Sequence, residues 1–311
     1  MSVSRRILLS QYMLPKHTKH YESRQWLARL LSFDPNLSAG RKRYFGMLIM
    51  RRIQSKQVAC IQAAKDGMRQ YASSQCFSAV CSFNFAISLG DDSSRATLAW
   101  ILMNGCEGVP KDFARARHLI QIGADKSFHD SMGVLAFYYT YIGSELFKAR
   151  FRNDSAKMAR LLDSLELSIE MTYEEIEQHE PLFHEKALVL ASRSAANNSK
   201  YGLFVLGVLK SNDDENLEDA ILGQNLIRRA AEMGLDAAQY KMGCKCFQTR
   251  FVKQDYTGAL HYFYLAAAQG HLHSMVKIHL AHKYGRGIPK NSTEAEMWRK
   301  RALEGGADYW T

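Results

Sequence analysis

Three glycines in the last third of the chain stand at equal spacing: Gly234, Gly270 and Gly306 are separated by 36 and 36 residues. The positions 11, 8, 4 and 3 residues before each of them hold small or apolar residues, for example Ala259 and Ala266 before Gly270. Steps of three and four residues place these side chains on one helix face. Because glycine is favoured where a helix ends in a left-handed conformation, the period predicts stacked helical units.

A second helix begins four residues after the closing glycine. Ala238 and Met242 recur as Ser274 and Ile278 in the next copy, at the same offsets. A short turn follows, most clearly at residues 285–290. The repeating unit is therefore helix, turn, helix, turn, at about 36 residues.

The same template fits the chain further upstream. The start-to-start distances are 37, 71, 36 and 36 residues, and the first helices begin near Ser94, Ser131, Gly202, Ala238 and Ser274. The distance of 71 residues between Ser131 and Gly202 has two possible explanations. This part of the chain is either one repeat with an inserted helical stretch near residues 145–180, or two repeats of which one has decayed. The acidic amphipathic pattern of residues 154–178 favours the insertion.

These patterns predict an all-α fold, a right-handed α-solenoid of antiparallel helix pairs. Residues 1–43 form a basic N-terminal segment, residues 44–93 a divergent helical cap, and residues 94–311 the solenoid. Because the end unit of a solenoid lacks a neighbour, the cap is expected to present a polar outer face.

The unit resembles the Sel-one-like repeat, a relative of the tetratricopeptide repeat with a longer turn between its helices. The resemblance covers about residues 94–143 and 183–311, and is carried best by Ala238, Met242, Gly243, Gly285, Gly287, Ile288, Ala295, Trp298 and Ala302. Cys246, His279 and His282 depart from the family's glycine and tyrosine. The resemblance implies a generic binding platform whose concave side is lined by the first helices.

The excess positive charge lies at one end of the chain. The formal net charge is +10, and residues 1–60 hold twelve basic residues against Glu22 and Asp34. A basic, serine-containing segment that lacks acids before Glu22, with an amphipathic pattern at 24–31, is typical of a mitochondrial transit peptide. A nucleic-acid-binding arm and a solvated tail are the alternatives. The predicted location is the mitochondrial matrix or the matrix face of the inner membrane, with the cytoplasm as the alternative.

No catalytic, cofactor or metal site is predicted. Cys244 and Cys246 lie two positions apart on a helix and diverge, whereas zinc needs four converging ligands. His261, His271 and His273 have no recognisable nucleophile or orienting acid. The six cysteines form no regular disulfide framework, and we interpret them as reduced, which suits a cytosol or a matrix.

Four lysines on the first helices, away from the packing positions, are candidates for a basic groove that binds an acidic partner segment: Lys241, Lys245, Lys277 and Lys283. A solvated face is the alternative. Tyr138, in an aromatic cluster, is a further candidate groove residue.

The predicted function is a non-enzymatic scaffold or adaptor for protein partners. The resemblance implies an assembly factor for an inner-membrane respiratory complex, with inner-membrane subunits as partners and at most peripheral membrane contact. One alternative is an organellar RNA-binding repeat protein, which the balanced charge of residues 61–311 disfavours. The other is a bacterial regulatory or effector repeat protein.

Overall fold

The computed structural model describes residues 39–152, 154, 156–157, 173–211, 216–247 and 255–307. These residues contain twelve α-helices and one isolated β-bridge, and the all-α prediction is confirmed. The helices are α1 (Ala39–Ala72), α2 (Cys76–Leu89), α3 (Ser94–Asn104), α4 (Phe113–Asp125), α5 (His129–Phe151), α6 (Tyr173–Ala196), α7 (Lys200–Ser211), α8 (Leu217–Glu232), α9 (Asp236–Phe247), α10 (Tyr256–Ala268), α11 (Leu272–Tyr284) and α12 (Ser292–Glu304).

Consecutive helices pack as antiparallel pairs, from α1 with α2 to α11 with α12, and each pair also contacts the next. Small residues at the contact positions bring the helices close together: Ala259, Ala266 and Ala302 are fully or almost fully buried. No pair can bury its apolar face alone, so stacking produces the continuous core. The predicted solenoid architecture is confirmed.

The closing residue of each repeat has a left-handed backbone. Gly234, Gly270 and Gly306 have φ of 79°, 83° and 82°, as their spacing predicts. Ser127 and Asn198, with φ of 62° and 56°, occupy the same place in two earlier copies. The periodic feature is therefore the backbone conformation, which glycine adopts without cost and which asparagine tolerates better than most residues.

Helices α5 and α6 are longer than their counterparts elsewhere in the solenoid. They contain 23 and 24 residues, whereas α3, α10 and α11 contain 11, 13 and 13. The predicted inserted stretch at 145–180 includes the end of α5 and the beginning of α6, and its residues 158–172 lie outside the described part. Both helices contact α7.

The N-terminal pair differs from the expected cap. The pattern at 24–31 lies outside the described residues, and the predicted boundary after residue 43 falls inside α1. On α2, the side chains of Phe77 and Phe85 are 69% and 55% exposed. The pair thus presents large apolar side chains to solvent where a polar exterior was expected.

A buried carboxylate joins distant parts of the solenoid. Asp236, the first residue of α9, is 3% exposed and accepts hydrogen bonds from the Trp100 Nε1–H (2.8 Å) and the Tyr71 hydroxyl (3.1 Å). The Trp100 ring contacts Tyr201 and Phe204 of α7, at centroid distances of 5.2 and 6.1 Å. The first helices therefore meet at a packed centre, and the open concave groove implied by the family resemblance is not present there.

A second junction joins α2, the α3–α4 turn and the α10–α11 turn. Cys76 and Cys106 form a disulfide with a Cα–Cα separation of 6.1 Å, within the usual range. The Cys106 Sγ also lies 3.5 Å from the Gln269 carbonyl oxygen. The expectation that all six cysteines are reduced is wrong for this pair, because the fold brings together two residues 30 positions apart.

Two closing glycines of nearly equal φ give a matched test of this junction. A Cβ on Gly270 would overlap the sulfur atoms of Cys76 and Cys106, whereas one on Gly234 would meet no atom within 4 Å. Gly234→Ala should lower the free energy of unfolding by about 1–2 kcal/mol through backbone conformation alone. Gly270→Ala should cost about 1–3 kcal/mol more through overpacking. Urea denaturation measures both, and equal losses would contradict the described contact.

Candidate functional site

The structure separates Tyr138 from the four candidate lysines. Tyr138 is 1% exposed and belongs to the main core cluster, where its ring contacts that of Tyr139. A side chain enclosed in this way cannot contact a partner, so its assignment to a binding groove is corrected. The physical reason is the convergence of the first helices, which fills the space that an open groove would leave.

Lys241 and Lys245 are exposed on α9. The Lys245 ammonium donates a hydrogen bond to the Gln224 side-chain oxygen on α8. Partial burial, followed by the nearby Arg228, lowers the pKa of Lys245. Lys245 therefore faces α8, and its environment differs from that of the two candidate lysines on α11.

Lys277 and Lys283 belong to a group of cations and aromatic rings, which we call the cationic–aromatic cluster: Phe247, Lys277, Lys283, Tyr284 and Arg286. The Lys277 Nζ lies 6.0 Å from the Phe247 ring centroid, and the Lys283 Nζ lies 5.4 Å from that of Tyr284. The Arg286 guanidinium lies 5.6 Å from the Phe247 ring and 5.2 Å from the Tyr284 ring. These distances suit cation–π contact.

A groove of about 740 Å³ lies beside this cluster, between α11 and α12. We call it the C-terminal groove; its lining residues are Val276, His279, Leu280, Lys283, Tyr284, Lys290, Ser292, Ala295, Glu296 and Arg299. Val276 and Leu280 are half-buried and Ala295 is buried, whereas Lys283, Tyr284 and Lys290 are exposed. The groove thus combines an apolar lining with cations at the surface.

The charge of the C-terminal groove is predominantly positive. Arg299 forms an ion pair with Glu296 at 2.8 Å. Within the part of the chain that the structure describes, Lys283 and Lys290 form no ion pair. Two exposed cations at one groove, neither of them paired with a described acid, raise the local electrostatic potential and attract anionic groups.

Local sequence fixes the geometry of the groove. Asn291 caps α12 by accepting a hydrogen bond from the Glu294 backbone N–H at 3.1 Å, a usual role of asparagine. His279 is 7% exposed, and its Nδ1 lies 2.7 Å from the Ala295 carbonyl oxygen. This contact joins α11 to α12. It gives a structural reason for the presence of a histidine at a position where the family prefers a smaller residue.

Helix α11 is capped by a histidine. The His271 Nδ1 accepts a hydrogen bond from the Ser274 backbone N–H at 3.2 Å. Burial is the main cause that lowers the pKa of His271 to about 4; Asp236 acts in the opposite direction, and His273 and Lys111 add smaller lowering effects. The neutral imidazole is therefore the form that can cap α11 at neutral pH.

Among the described residues, no three histidine, cysteine or acidic side chains are placed to hold a metal ion. The His271 and His273 rings lie 5.8 Å apart at one side of a cavity of about 230 Å³. None of the described helices is both long enough and apolar enough to cross a bilayer.

Sequence reasoning missed four residues of this surface: Tyr284, Arg286, Lys290 and Arg299. Three of them lie in or next to the turn at residues 285–290, which the repeat pattern identified only as a connection. Their charge and aromatic character within a turn was the available signal, because turns between repeats tolerate residues that packing does not require.

Comparison with known proteins identifies the repeats. The Sel1 repeat model matches residues 96–128, 236–271 and 279–306. These three segments are Sel1 repeats. Sel1 repeats mediate protein–protein interactions and are generally non-catalytic. The third Sel1 repeat contains most of the residues that line the C-terminal groove. A comparison with curated proteins found no match to the chain.

Two solved structures resemble the chain. The Sel1 repeat protein from Oxalobacter formigenes shares 19% identity over 78% of this chain and 85% of its own, with a TM-score of 0.42. The protective antigen c5321 of uropathogenic Escherichia coli, which displays an SLR fold, also shares 19% identity over 78% of this chain. That match covers 61% of the antigen and has a TM-score of 0.34.

The histidine cap of α11 should make stability depend on pH. Because the folded-state pKa of His271 is about 4 and an unfolded histidine titrates near 6.5, the unfolded state binds the extra proton between these values. His271 should therefore lower the free energy of unfolding as pH falls through this window, by up to about 1.4 kcal/mol per pH unit.

His271→Asn keeps a good capping residue and removes this titration. Urea unfolding of both proteins between pH 7 and pH 4.5 measures the difference. The variant should lose less stability on acidification than the parent. Parallel pH profiles would show that His271 titrates normally in the folded state.

Proposed function

We propose that the chain is a non-enzymatic adaptor that binds an acidic segment of a partner protein in the C-terminal groove. The observation that carries the proposal is the position of Lys283 and Lys290, two exposed cations without an ion pair among the described residues, beside an apolar lining. Sel1 repeats mediate protein–protein interactions, and the groove lies largely within one of them.

The chemistry of the groove selects the partner segment. Val276 and Leu280 offer apolar surface to a hydrophobic anchor, while Lys283 and Lys290 favour carboxylates on either side of it. The ring of Tyr284, 56% exposed and next to two cations, adds an amphipathic contact of the kind enriched at interfaces. An acidic peptide with an aliphatic or aromatic anchor matches all three features.

The test uses two fluorescent model peptides that differ only in charge. One contains glutamates around a leucine anchor, and in the other every glutamate is glutamine. In fluorescence anisotropy at low salt, the glutamate peptide should bind at least about tenfold more tightly, and added salt should reduce the difference by screening. Lys283→Glu with Lys290→Glu should remove that preference.

A matched control changes the charge equally outside the groove. Lys65 on α1 and Lys186 on α6 are both exposed, form no ion pair with the described residues and do not line it. Lys65→Glu with Lys186→Glu should leave glutamate-peptide binding within about twofold when both double variants are compared at about 0.1 M salt, since exposed charges more than about 10 Å apart are then largely screened. An equal loss in both double variants would mean that net charge, rather than the groove, binds the peptide.

We further propose that the adaptor acts in mitochondria, in the assembly of an inner-membrane respiratory complex. Its support is the basic, acid-poor N-terminal segment, which holds the excess charge of the chain. The sulfur atoms of Cys76 and Cys106 lie in contact, and a disulfide between them is expected in an oxidising compartment and not in a reducing matrix. The mitochondrial address and the side of the inner membrane are therefore tested together.

Imaging and fractionation of the full chain and of a version lacking residues 1–43 form this test. The full chain should reach mitochondria and shorten there, and the truncated version should remain cytosolic. Protease treatment of intact and swollen mitochondria then distinguishes matrix from intermembrane space. A cytosolic, uncut full chain would contradict the proposed address and leave the groove proposal unaffected.

A further inference from the structure

Helix α1 carries an apolar stripe that none of the described residues covers. Met47, Val58, Ile61 and Met68 are 52%, 67%, 53% and 43% exposed. At about 100° of rotation per residue, these four side chains fall within one sector of the helix surface. We call this sector the α1 stripe.

The α1 stripe faces away from the solenoid. The opposite side of α1 holds the buried Ala63 and Gly67, and Gly67 lies directly against the Phe83 ring of α2. Helix α1 has 34 residues and α2 has 14, so the N-terminal half of α1 extends beyond its partner. An amphipathic helix normally has one apolar side. Helix α1 has two, because one apolar side packs against α2 and the α1 stripe faces solvent.

The charge of α1 is strongly one-sided. The helix contains eight basic residues and a single acid, Asp66, which is paired with Arg69 one turn away. Arg51 and Lys65 fall within the α1 stripe by the same helical count, and both are exposed. Long basic side chains can extend to lipid headgroups while neighbouring aliphatic side chains insert between them, and cations at the surface are attracted to anionic lipids.

We propose that the α1 stripe binds an anionic phospholipid surface. Val58 and Ile61, one turn apart, enter the headgroup region, and Arg51 and Lys65 contact lipid phosphates on either side of them. A nucleic acid would satisfy the cations and leave the aliphatic side chains in water, so the exposed apolar residues favour the membrane. The contact is peripheral and does not involve the C-terminal groove.

Flotation of the full chain with lipid vesicles tests the proposal. Vesicles of phosphatidylcholine mixed with phosphatidylglycerol should bind the chain, and vesicles of phosphatidylcholine alone should bind at least about tenfold more weakly, since each cation near an anionic surface strengthens binding about fivefold. Val58→Asn with Ile61→Asn should reduce binding to the anionic vesicles about tenfold or more, because apolar burial is lost.

Phe85→Asn on α2 is the control, since it removes an exposed apolar side chain outside the α1 stripe and should leave binding unchanged. Unchanged thermal midpoints should accompany all variants. A lower midpoint for the Val58 and Ile61 double variant would mean that another part of this chain covers the stripe. Three results would overturn the proposal. The first is equal binding to both vesicle types, and the second is dissociation of a dimer in the double variant. The third is binding to single-stranded RNA that is lost in Arg51→Gln and kept in the double variant.

Discussion

The buried carboxylate of Asp236 connects parts of the molecule that a simple solenoid would keep apart. It accepts hydrogen bonds from Tyr71 and Trp100, 165 and 136 positions away. A buried polar group is stable only when hydrogen-bond partners surround it, so α1, α3 and α9 must all be in place for these three groups to be satisfied together. In a linear array each unit contacts only its neighbours; here unfolding of one end exposes an unpaired polar group at the centre.

Because the first helices pack against each other at the centre, a partner cannot bind there. The first helices are occupied with each other around Trp100 and Tyr201, whose rings lie 5.2 Å apart, and the two surfaces proposed to bind partners lie elsewhere, near the two ends of the described residues. At the C-terminal end, α11 and α12 leave a cationic groove. At the N-terminal end, α1 leaves an apolar and cationic stripe. The two proposed surfaces differ in chemistry, since one offers a shaped recess and the other a long convex helix.

Much of the fold is predictable from the sequence, because offsets of three and four residues before Gly234, Gly270 and Gly306 reflect a contact that every repeat must make. Ser127 and Asn198 escape the same search, since they meet the backbone requirement without being glycine. The disulfide and the position of Tyr138 were not predictable, because both depend on how far the array curves, and curvature is the sum of many small rotations. Of the candidate lysines, the two on α11 lie in the groove or its flanking cluster, and Lys245 faces α8 instead.

The residues in and around the turn between α11 and α12 fall into two groups with different roles. Asn291 and His279 hold the helices in place through a cap and a helix-to-helix contact, whereas Arg286 and Lys290 contribute charge without supporting the core. Substitutions in the second set can change what the groove attracts at little cost to the fold. A repeat built in this way can acquire a new partner through a handful of turn residues, while the contacts between the helices that carry the turn stay unchanged.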